Sequence, residues 1–420
     1  MRHLLTMAIQ SAWNRRLTFG LIVLTIALSV SMLLGVERIR HDARESFAQS
    51  VSGADLIVGA RSSPVQLLLY SIFRMGDASS NMRWQSAEKI AQHPSVAWSI
   101  PLSLGDSHRG FPVLGTTGSY FQHFRYGDSL PLAFSAGAPF NSLFDAVLGA
   151  EVAQRLGYGM GDKIALNHGM QETGFTSHGD KPFSVVGILK PTGTPVDRTV
   201  HISLEAMEAI HLDWQAGARI PGMTIPPELV RKFDLKPKSV TAVIVGLKSR
   251  TAVFRMQRYV NEYKEEALLG LLPGVVLDQL WQVVGIVERT LLLVSGMVVL
   301  VGLTGLVAVV LAGLNERRRE MAILRSVGAQ PSDIFIMLVM EGFALTLAGA
   351  ILGLLLLAAA SAIFAPYVQA NYGLSISTVL LTTEELPLLA AVIGVGLLAS
   401  TAPGYRAYRL SLIDGLTPRT

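Results

Sequence analysis

Two polar stretches carry the residue types that do chemistry, and they lie far apart in the chain. In the first, His168 and His178 flank Gln171 and Glu172, and Asp180 follows. Imidazole and carboxylate are zinc ligands, but this spacing fits no compact ligand motif, and no metal is assigned to it. The remaining histidines of the same region, His93, His108, His123, His201 and His211, are scattered. The second stretch is Asn315-Glu-Arg-Arg-Arg-Glu-Met-Ala-Ile-Leu-Arg-Ser-Val-Gly-Ala329, followed by Gln-Pro-Ser-Asp-Ile334. It starts charged, turns apolar on one side at Met321, Ile323 and Leu324, and stops at Gly328. Pro331 suits the first turn of a further helix and Asp333 its N-terminal charge preference. A short helix of this kind suits docking to a soluble partner. The same residues also read as a positive anchor that only sets topology.

The rest of the inventory excludes several classes. There is no cysteine, hence no disulfide, thiolate metal site or cysteine nucleophile. No Gly-x-x-x-x-Gly-Lys-Ser/Thr run is present to cradle phosphates, and no Gly-x-Ser-x-Gly elbow to present a nucleophile. No catalytic residue is assigned. Basic residues do not interleave with aromatics, so nucleic acid is not expected as a partner.

Of the 420 residues half are hydrophobic and only 16% are charged, with 35 Lys+Arg against 31 Asp+Glu and a net charge of +4. Soluble domains carry roughly 25% charged residues, so the elements must include membrane spans. Uncharged apolar runs long enough to cross a bilayer occupy Leu17 to Val36, Leu291 to Leu314, Gly342 to Ala365 (entered from Ile334 past Glu341) and, shorter, Leu386 to Pro403. The first run is too long for a signal peptide and lacks a small-residue cleavage pattern after it. Arg2, Arg15 and Arg16 precede span one; Arg317, Arg318, Arg319 and Arg325 lie between spans two and three; Arg406, Arg409 and Arg419 follow span four. The loop between spans three and four has no Lys or Arg but has Glu384 and Glu385. The positive-inside rule then puts both termini and the 315–333 segment in the cytoplasm. The fold class expected is an integral membrane α-helical protein with four transmembrane helices and a large α/β extracytoplasmic domain between helices 1 and 2.

Within that domain, Ala146 to Ala150 reads as a strand leading into a helix over Glu151 to Leu156, stopped by Gly157. Asp162 to Leu166 and Phe183 to Leu189 read as strands, Val200 to Ser203 as a strand, Leu204 to Ile210 as a helix, and Val240 to Leu247 as the clearest strand. Thr251 to Leu269 reads as a helix. Strands alternating with helices suggest βαβ units. Glu37 to Gln49 and the helical spacing of Leu277, Leu280, Trp281, Val284 and Val287 extend helices past spans one and two as a stalk. Trp281 suits either an interface or ordinary core packing. The apolar run inside Arg61 to Tyr70 is expected in the domain core. Gly349 and Gly353 form a GxxxG pair for close helix packing, within the chain or across a dimer seam. Glu341 is a carboxylate near the cytoplasmic end of span three, with a structural role favoured over a proton relay.

The segment Glu316 to Ala329 resembles the signature of MacB/FtsX-type permeases, also called type VII ABC transporter permeases. Met7-Ala-Ile-Gln-Ser-Ala-Trp-Asn-Arg-Arg16 is similar to that family's start. Val147-Leu-Gly-Ala-Glu-Val-Ala153 and Phe183-Ser-Val-Val-Gly-Ile-Leu-Lys190 resemble stretches of its periplasmic core domain, and Glu341-Gly342 also matches. The resemblance spans nearly the whole chain. It implies a cytoplasmic amphipathic N-terminal helix (1–16), span one (17–36), a periplasmic core domain with stalk helices at both ends (37–288), span two (289–314) and a cytoplasmic coupling segment (315–333). Span three (334–365), a short periplasmic loop (366–385), span four (386–404) and a cytoplasmic tail (405–420) follow. It also implies a dimer with a second permease copy or paralogue in a bacterial inner membrane. ATP is bound by a separate ABC ATPase subunit, since fused relatives carry theirs before span one, and this chain needs no cofactor of its own. ATP-driven movement would pass through Glu316, Arg318, Glu320, Leu324, Arg325, Gly328 and Ala329 to the periplasm. Export or extraction of a lipoprotein, peptide, lipid or amphipathic small molecule is the first expectation. A non-transporting permease that activates a cell-wall hydrolase, or a transmembrane sensor, is the alternative. Further partners expected are membrane lipids and a periplasmic adaptor, lipoprotein or hydrolase.

Overall fold

The computed structural model describes residues 16–50, 52–76, 80–169, 178–215, 218–220, 225–316, 318–372 and 376–409. The expected N-terminal helix before Arg16, Arg317, the loop residues Gln171 and Glu172, and the tail from 410 lie outside the described residues. The chain divides into a helical unit, from residues 1–42, 285–367 and 376–420, and a sheet unit of residues 43–284 with 368–375.

Among the described residues four helices are long and apolar enough to span a membrane. They are α1 (Arg16–Gln49), the helix Pro273–Glu316, the helix Pro331–Tyr372 and the helix Leu386–Arg409. Each contains one of the four apolar runs read from sequence. Helix α1 presents one stripe to the helical core: Ile26, Val30, Leu34, Arg38 and Asp42, stepping by four, are all buried. That period keeps residues on one helix face. Val299, Leu303, Leu306 and Val310 of the second long helix, Leu338 and Leu357 of the third and Val392 of the fourth complete this core.

Continuously apolar strands are buried on both faces and alternating ones on one. The sheet unit shows both patterns. Its eleven-stranded mixed sheet contains β1 (Leu56–Ala60), β2 (Val96–His108), β3 (Phe111–Thr116), β4 (Phe134–Gly137), β5 (Asp145–Leu148), β6 (Lys163–Ile164), β7 (Asn167–His168), β8 (Phe183–Leu189), β9 (Val200–Ser203), β10 (Ala242–Leu247) and β11 (Leu268–Leu271). The order is β11-β1-β10-β2-β3-β9-β5-β8-β4, with β7 on β2 and β6 on β8. All five residues of β1 are buried, whereas β8 alternates buried and half-buried along its length. Strands β5 and β8 run parallel, as do β3 and β9, so the expected crossover units are present within an otherwise antiparallel sheet.

Helices pack on this frame as α2 (Pro64–Ser71), α3 (Trp84–Ala91), α4 (Ala150–Leu156), α5 (Leu204–His211) and α6 (Val253–Asn261). The helix expected over Thr251 to Leu269 ends at Asn261, and Leu268–Leu271 is strand β11. The polar run after Asn261 has no apolar face to bury. The Asn261 side chain instead accepts the Gly270 N–H at 2.8 Å, while Leu268 and Leu271 are buried. The apolar run of Arg61 to Tyr70 forms α2 with Leu67 and Leu68 in the core. The long helices α7 (Pro273–Glu316), α9 (Pro331–Tyr372) and α10 (Leu386–Arg409) follow, with α8 (Arg318–Ser326) between α7 and α9. The first residues of α7 belong to the sheet unit. There Trp281 packs against its core, meets Phe47 edge-on at 5.5 Å and lies under the Arg44 guanidinium. Core packing is therefore the reading of Trp281 that the contacts support.

Candidate functional site

The segment between α7 and α9 is a short helix with definite ends. Glu316 closes α7, and Arg318, Glu320, Leu324 and Arg325 lie in α8. Gly328 adopts φ +105°, a left-handed conformation that glycine takes without steric cost. The Gly328 N–H donates to Arg325 O and the Ala329 N–H to Leu324 O, the two bonds of a Schellman stop. The next helix starts at once. The Gln330 N–H donates to the Asp333 carboxylate at 2.9 Å, the reach-back half of a capping box, and Pro331 fills the first helical position.

The faces of α8 differ from the face read in the sequence. Met321 and Ala322 are buried, and Met321 joins the core of the helical unit. Leu324, Arg325 and Ala329 are half-buried. Ile323 is 54% exposed and Val327 83%, and their spacing of four places both on one face. These are the apolar side chains that a partner could cover. Nine residues of pattern do not reveal which apolar face packs inward, so Ile323 was grouped with the buried Met321 and Val327 was not singled out.

Gly349 and Gly353 are also fixed by their neighbours. A Cβ on Gly349 would come within 2.7 Å of Ile26 side-chain atoms, and one on Gly353 within 2.8 Å of Ala27 O and 2.9 Å of Val30. Their partner is α1 of the same chain. The close approach allowed by small residues is thus used inside the molecule.

Histidines that are far apart in sequence meet at one edge of the sheet unit. A register shift between Leu104 and Ser107 takes Asp106 out of the β2–β3 pairing, as bulges do beside functional groups. Strand β7 sets His168 opposite Asp106, and His168 Nδ1 lies 3.0 Å from Asp106 Oδ1. His211, the last residue of α5, puts Nε2 at 3.1 Å from His168 Nδ1 and 3.4 Å from Asp106 Oδ1. His178 is fully buried, and neither of its ring nitrogens has a hydrogen-bond partner among the described residues. Its ring centre is 5.0 Å from that of His211. Burial would raise the Asp106 carboxyl, but the bonds from His168 and His211 hold it down to about 2. Burial pushes the His178 imidazole down to about 4. The sequence had paired His168 and His178 with loop residues and left His211 among the scattered histidines; the fold supplies Asp106 and His211 instead. Asp180 is engaged by the buried Lys181, which is held at 2.6 Å by Asp213.

Residues 17–262 match the family model of the MacB-like periplasmic core domain, and residues 292–412 match the FtsX-like permease C-terminal model. The first match alone covers more than half of the chain. The protein is a member of the MacB/FtsX permease family. This permease is similar to the lipoprotein-releasing system transmembrane protein LolC of Neisseria meningitidis, at 27% identity over 281 residues. The match covers 64% of this chain and 61% of the relative, less than two thirds of its length. Among solved structures it is similar to the periplasmic region of MacB from Actinobacillus actinomycetemcomitans, with 10% identity, a TM-score of 0.34, 56% of this chain and 97% of that one. A second is the extracellular domain of the ABC-type transporter YknZ from Gram-positive bacteria, with 11% identity, a TM-score of 0.29, 51% and 98%. From the two family models and its four apolar helices, this chain is an ABC-type permease, multi-pass in an inner membrane.

One feature of the permease had no signal in the sequence beyond a stray charge. Arg38 of α1 and Glu385, just before α10, form a bidentate pair at 2.7 and 2.9 Å, with side chains 1% and 0% exposed. Arg38 also donates to Ser361 Oγ and Leu380 O, and Glu385 accepts the Thr382 N–H. Four residues further along the same stripe, Asp42 accepts the Ser377 N–H at 2.8 Å. Together these bonds tie α1 to the segment between α9 and α10. Glu341, the other intramembrane candidate, is half-buried in α9.

Proposed function

We propose that this permease is the membrane subunit of an ATP-driven mechanotransmission complex. A separate ATPase docks on α8, both termini lie on the same cytoplasmic side, and the sheet unit works in the periplasm. ATP turnover moves α8, and the long helices α7 and α9 on either side of it carry that movement across the bilayer. The client is a lipid-anchored protein, peptide, lipid or amphipathic small molecule at the outer face of the membrane. The name of the similar Neisseria protein favours a lipoprotein among these. A second permease copy completes the complex and must dock on helix faces other than the Gly349–Gly353 seam, which α1 already fills.

The observation that carries this reading is α8 itself: a helix stopped at one end by Gly328, followed directly by a capped helix, with Ile323 and Val327 facing outward. A rigid, exposed apolar face on a short helix is what a soluble partner can grip. Purification of the permease from native membranes with its bound chains, joined to an ATP turnover assay, tests it. Wild-type permease should bring down a P-loop ATPase. Val327→Asp should weaken that capture by about tenfold or more, as loss of an interface anchor does, while membrane insertion is unchanged. Equal ATPase capture by Val327→Asp and Ile323→Asp variants would remove α8 as the contact. A co-purified cell-wall hydrolase with no released client would move the reading to regulation.

A further inference from the structure

We propose that Asp106, His168, His178 and His211 bind one divalent transition-metal ion of the zinc type inside the sheet unit. The site lies wholly within residues 43–284 and does not depend on coupling to an ATPase. One donor atom from each of the four residues lies within 4.8 Å of all the others. Zinc–nitrogen and zinc–oxygen bonds of about 2.1 Å in a tetrahedron give ligand-to-ligand edges of about 3.4 Å. Three of the separations here are 3.0, 3.1 and 3.4 Å. Only His178 must move inward to close the set.

Protons alone satisfy these groups poorly. The His211 Nδ1 is 2.7 Å from Met207 O, which can only accept, so Nδ1 carries a proton and Nε2 is the nitrogen aimed at Asp106 and His168. His168 Nδ1 and His211 Nε2 both face the same oxygen of Asp106, at 3.0 and 3.4 Å, while lying only 3.1 Å from each other, so two N–H groups donating to that oxygen would crowd. Among the described residues Asp106 Oδ2 is buried without a partner, as are both nitrogens of His178. A cation in the middle would give all four convergent donors, those of His178 included, one common partner. The buried cation nearby cannot serve, because Lys181 is bound to Asp213 at 2.6 Å.

Ligand orientation also follows the pattern of metal histidines, whose second ring nitrogen donates to a carbonyl or carboxylate. The Met207 carbonyl does this for His211. The backbone fixes His178, whose N–H donates to Leu166 O at 2.8 Å. Three imidazoles and one carboxylate are borderline ligands that suit zinc or its neighbours over calcium or magnesium, which prefer oxygen alone. With four protein ligands such an ion cross-links the β2–β7 edge to the end of α5.

The test uses full-length permease in detergent, carried on a tag free of histidine, stripped with chelator and dialysed. Metal analysis after Zn2+ loading should return one ion per chain. Co2+, the spectroscopic probe, should give the intense visible bands of a four-coordinate site, displaced by Zn2+. Co2+ should also quench Trp214, whose ring is 4.4 Å from that of His178, and the quenching should vanish in Trp214→Phe. His211→Ala and His178→Ala should each lower affinity by well over about tenfold, the least that even outer-shell changes cost. Asp106→Asn, the milder replacement, should do the same, with circular dichroism showing each variant folded. Absence of a stoichiometric ion and of the Co2+ spectrum in wild type overturns the site. So does equal retention in all three variants.

Discussion

Arg38 is a charged side chain that has left water altogether, and its geometry shows what compensates it. Both ends of its guanidinium fork meet Glu385, and the remaining donors reach Ser361 and Leu380. Breaking a buried pair by removing one partner leaves an uncompensated charge and typically costs about 3–5 kcal/mol. Replacing both partners with apolar residues costs much less. Arg38→Met should therefore melt well below wild type, and the double variant Arg38→Met, Glu385→Leu should recover most of the loss. Thermal melts in detergent read both; a single variant that melts like wild type would refute the coupling. Arg38 was visible in the sequence only as one charge in the polar stretch after span one. Its pairing with Glu385 was not, because the two lie 347 positions apart. A second residue acts through protons. His201 is fully buried against Tyr120, and burial, helped by the Arg74 charge, pushes its imidazole down to about 3. An unfolded imidazole titrates near 6.5. Between those values the unfolded chain binds the extra proton, so stability falls as pH falls, by at most about 1.4 kcal/mol per pH unit. Denaturant melts at pH 7, 6 and 5 should show this slope reduced in His201→Phe, and parallel slopes would contradict it.

At the scale of elements, the deciding quantity is how closely two helices approach. The α1–α9 seam leaves no room for a side chain at Gly353, where even a Cβ would press on Ala27 O and Val30. Forcing extra carbon into a packed seam costs roughly 1–3 kcal/mol. Gly353→Leu should thus lower the stability of the single chain. Crosslinking between an α1 cysteine and an α9 cysteine within one permease should fall in proportion, and intact crosslinking would place the seam elsewhere. The GxxxG pattern announced a close approach in the sequence, but not its partner, because spacing on one helix carries no information about the other. The same limit explains α8. Its ends were legible in Gly328, Pro331 and Asp333, each a residue with a local backbone role. Its outward face was not, since Met321, Ile323, Leu324 and Val327 are alike in type and only tertiary packing separates the buried Met321 from the exposed Val327. Strand β11 was misread as helix for a related reason: its burial depends on pairing with β1, more than 200 residues earlier in the chain.

At the scale of the molecule, the order of one apolar helix, a large α/β region and three further apolar helices was plain from hydropathy, because it rests on long local runs. The order of the eleven strands was not, since it rests on contacts between distant segments, and the Asp106–His168–His178–His211 cluster inherits that invisibility. The two units have separate apolar cores, which makes their stabilities separable. An ion that binds only the folded sheet unit should stabilise that unit alone. At a free concentration of one hundred times Kd the gain is about 2.7 kcal/mol. A unit of this size shifts by about 2–4 °C per kcal/mol, so Zn2+ should raise its midpoint by roughly 5–10 °C and chelator should reverse the rise. Four of the five tryptophans, Trp84, Trp98, Trp214 and Trp281, lie in the sheet unit, so in a Trp13→Phe background tryptophan emission follows its melting. Far-UV circular dichroism, weighted toward the long helices, follows the other. The emission midpoint should move with Zn2+ while the helical signal holds, and His211→Ala should abolish the movement. An equal shift in His211→Ala would mean that the ion acts elsewhere on the chain.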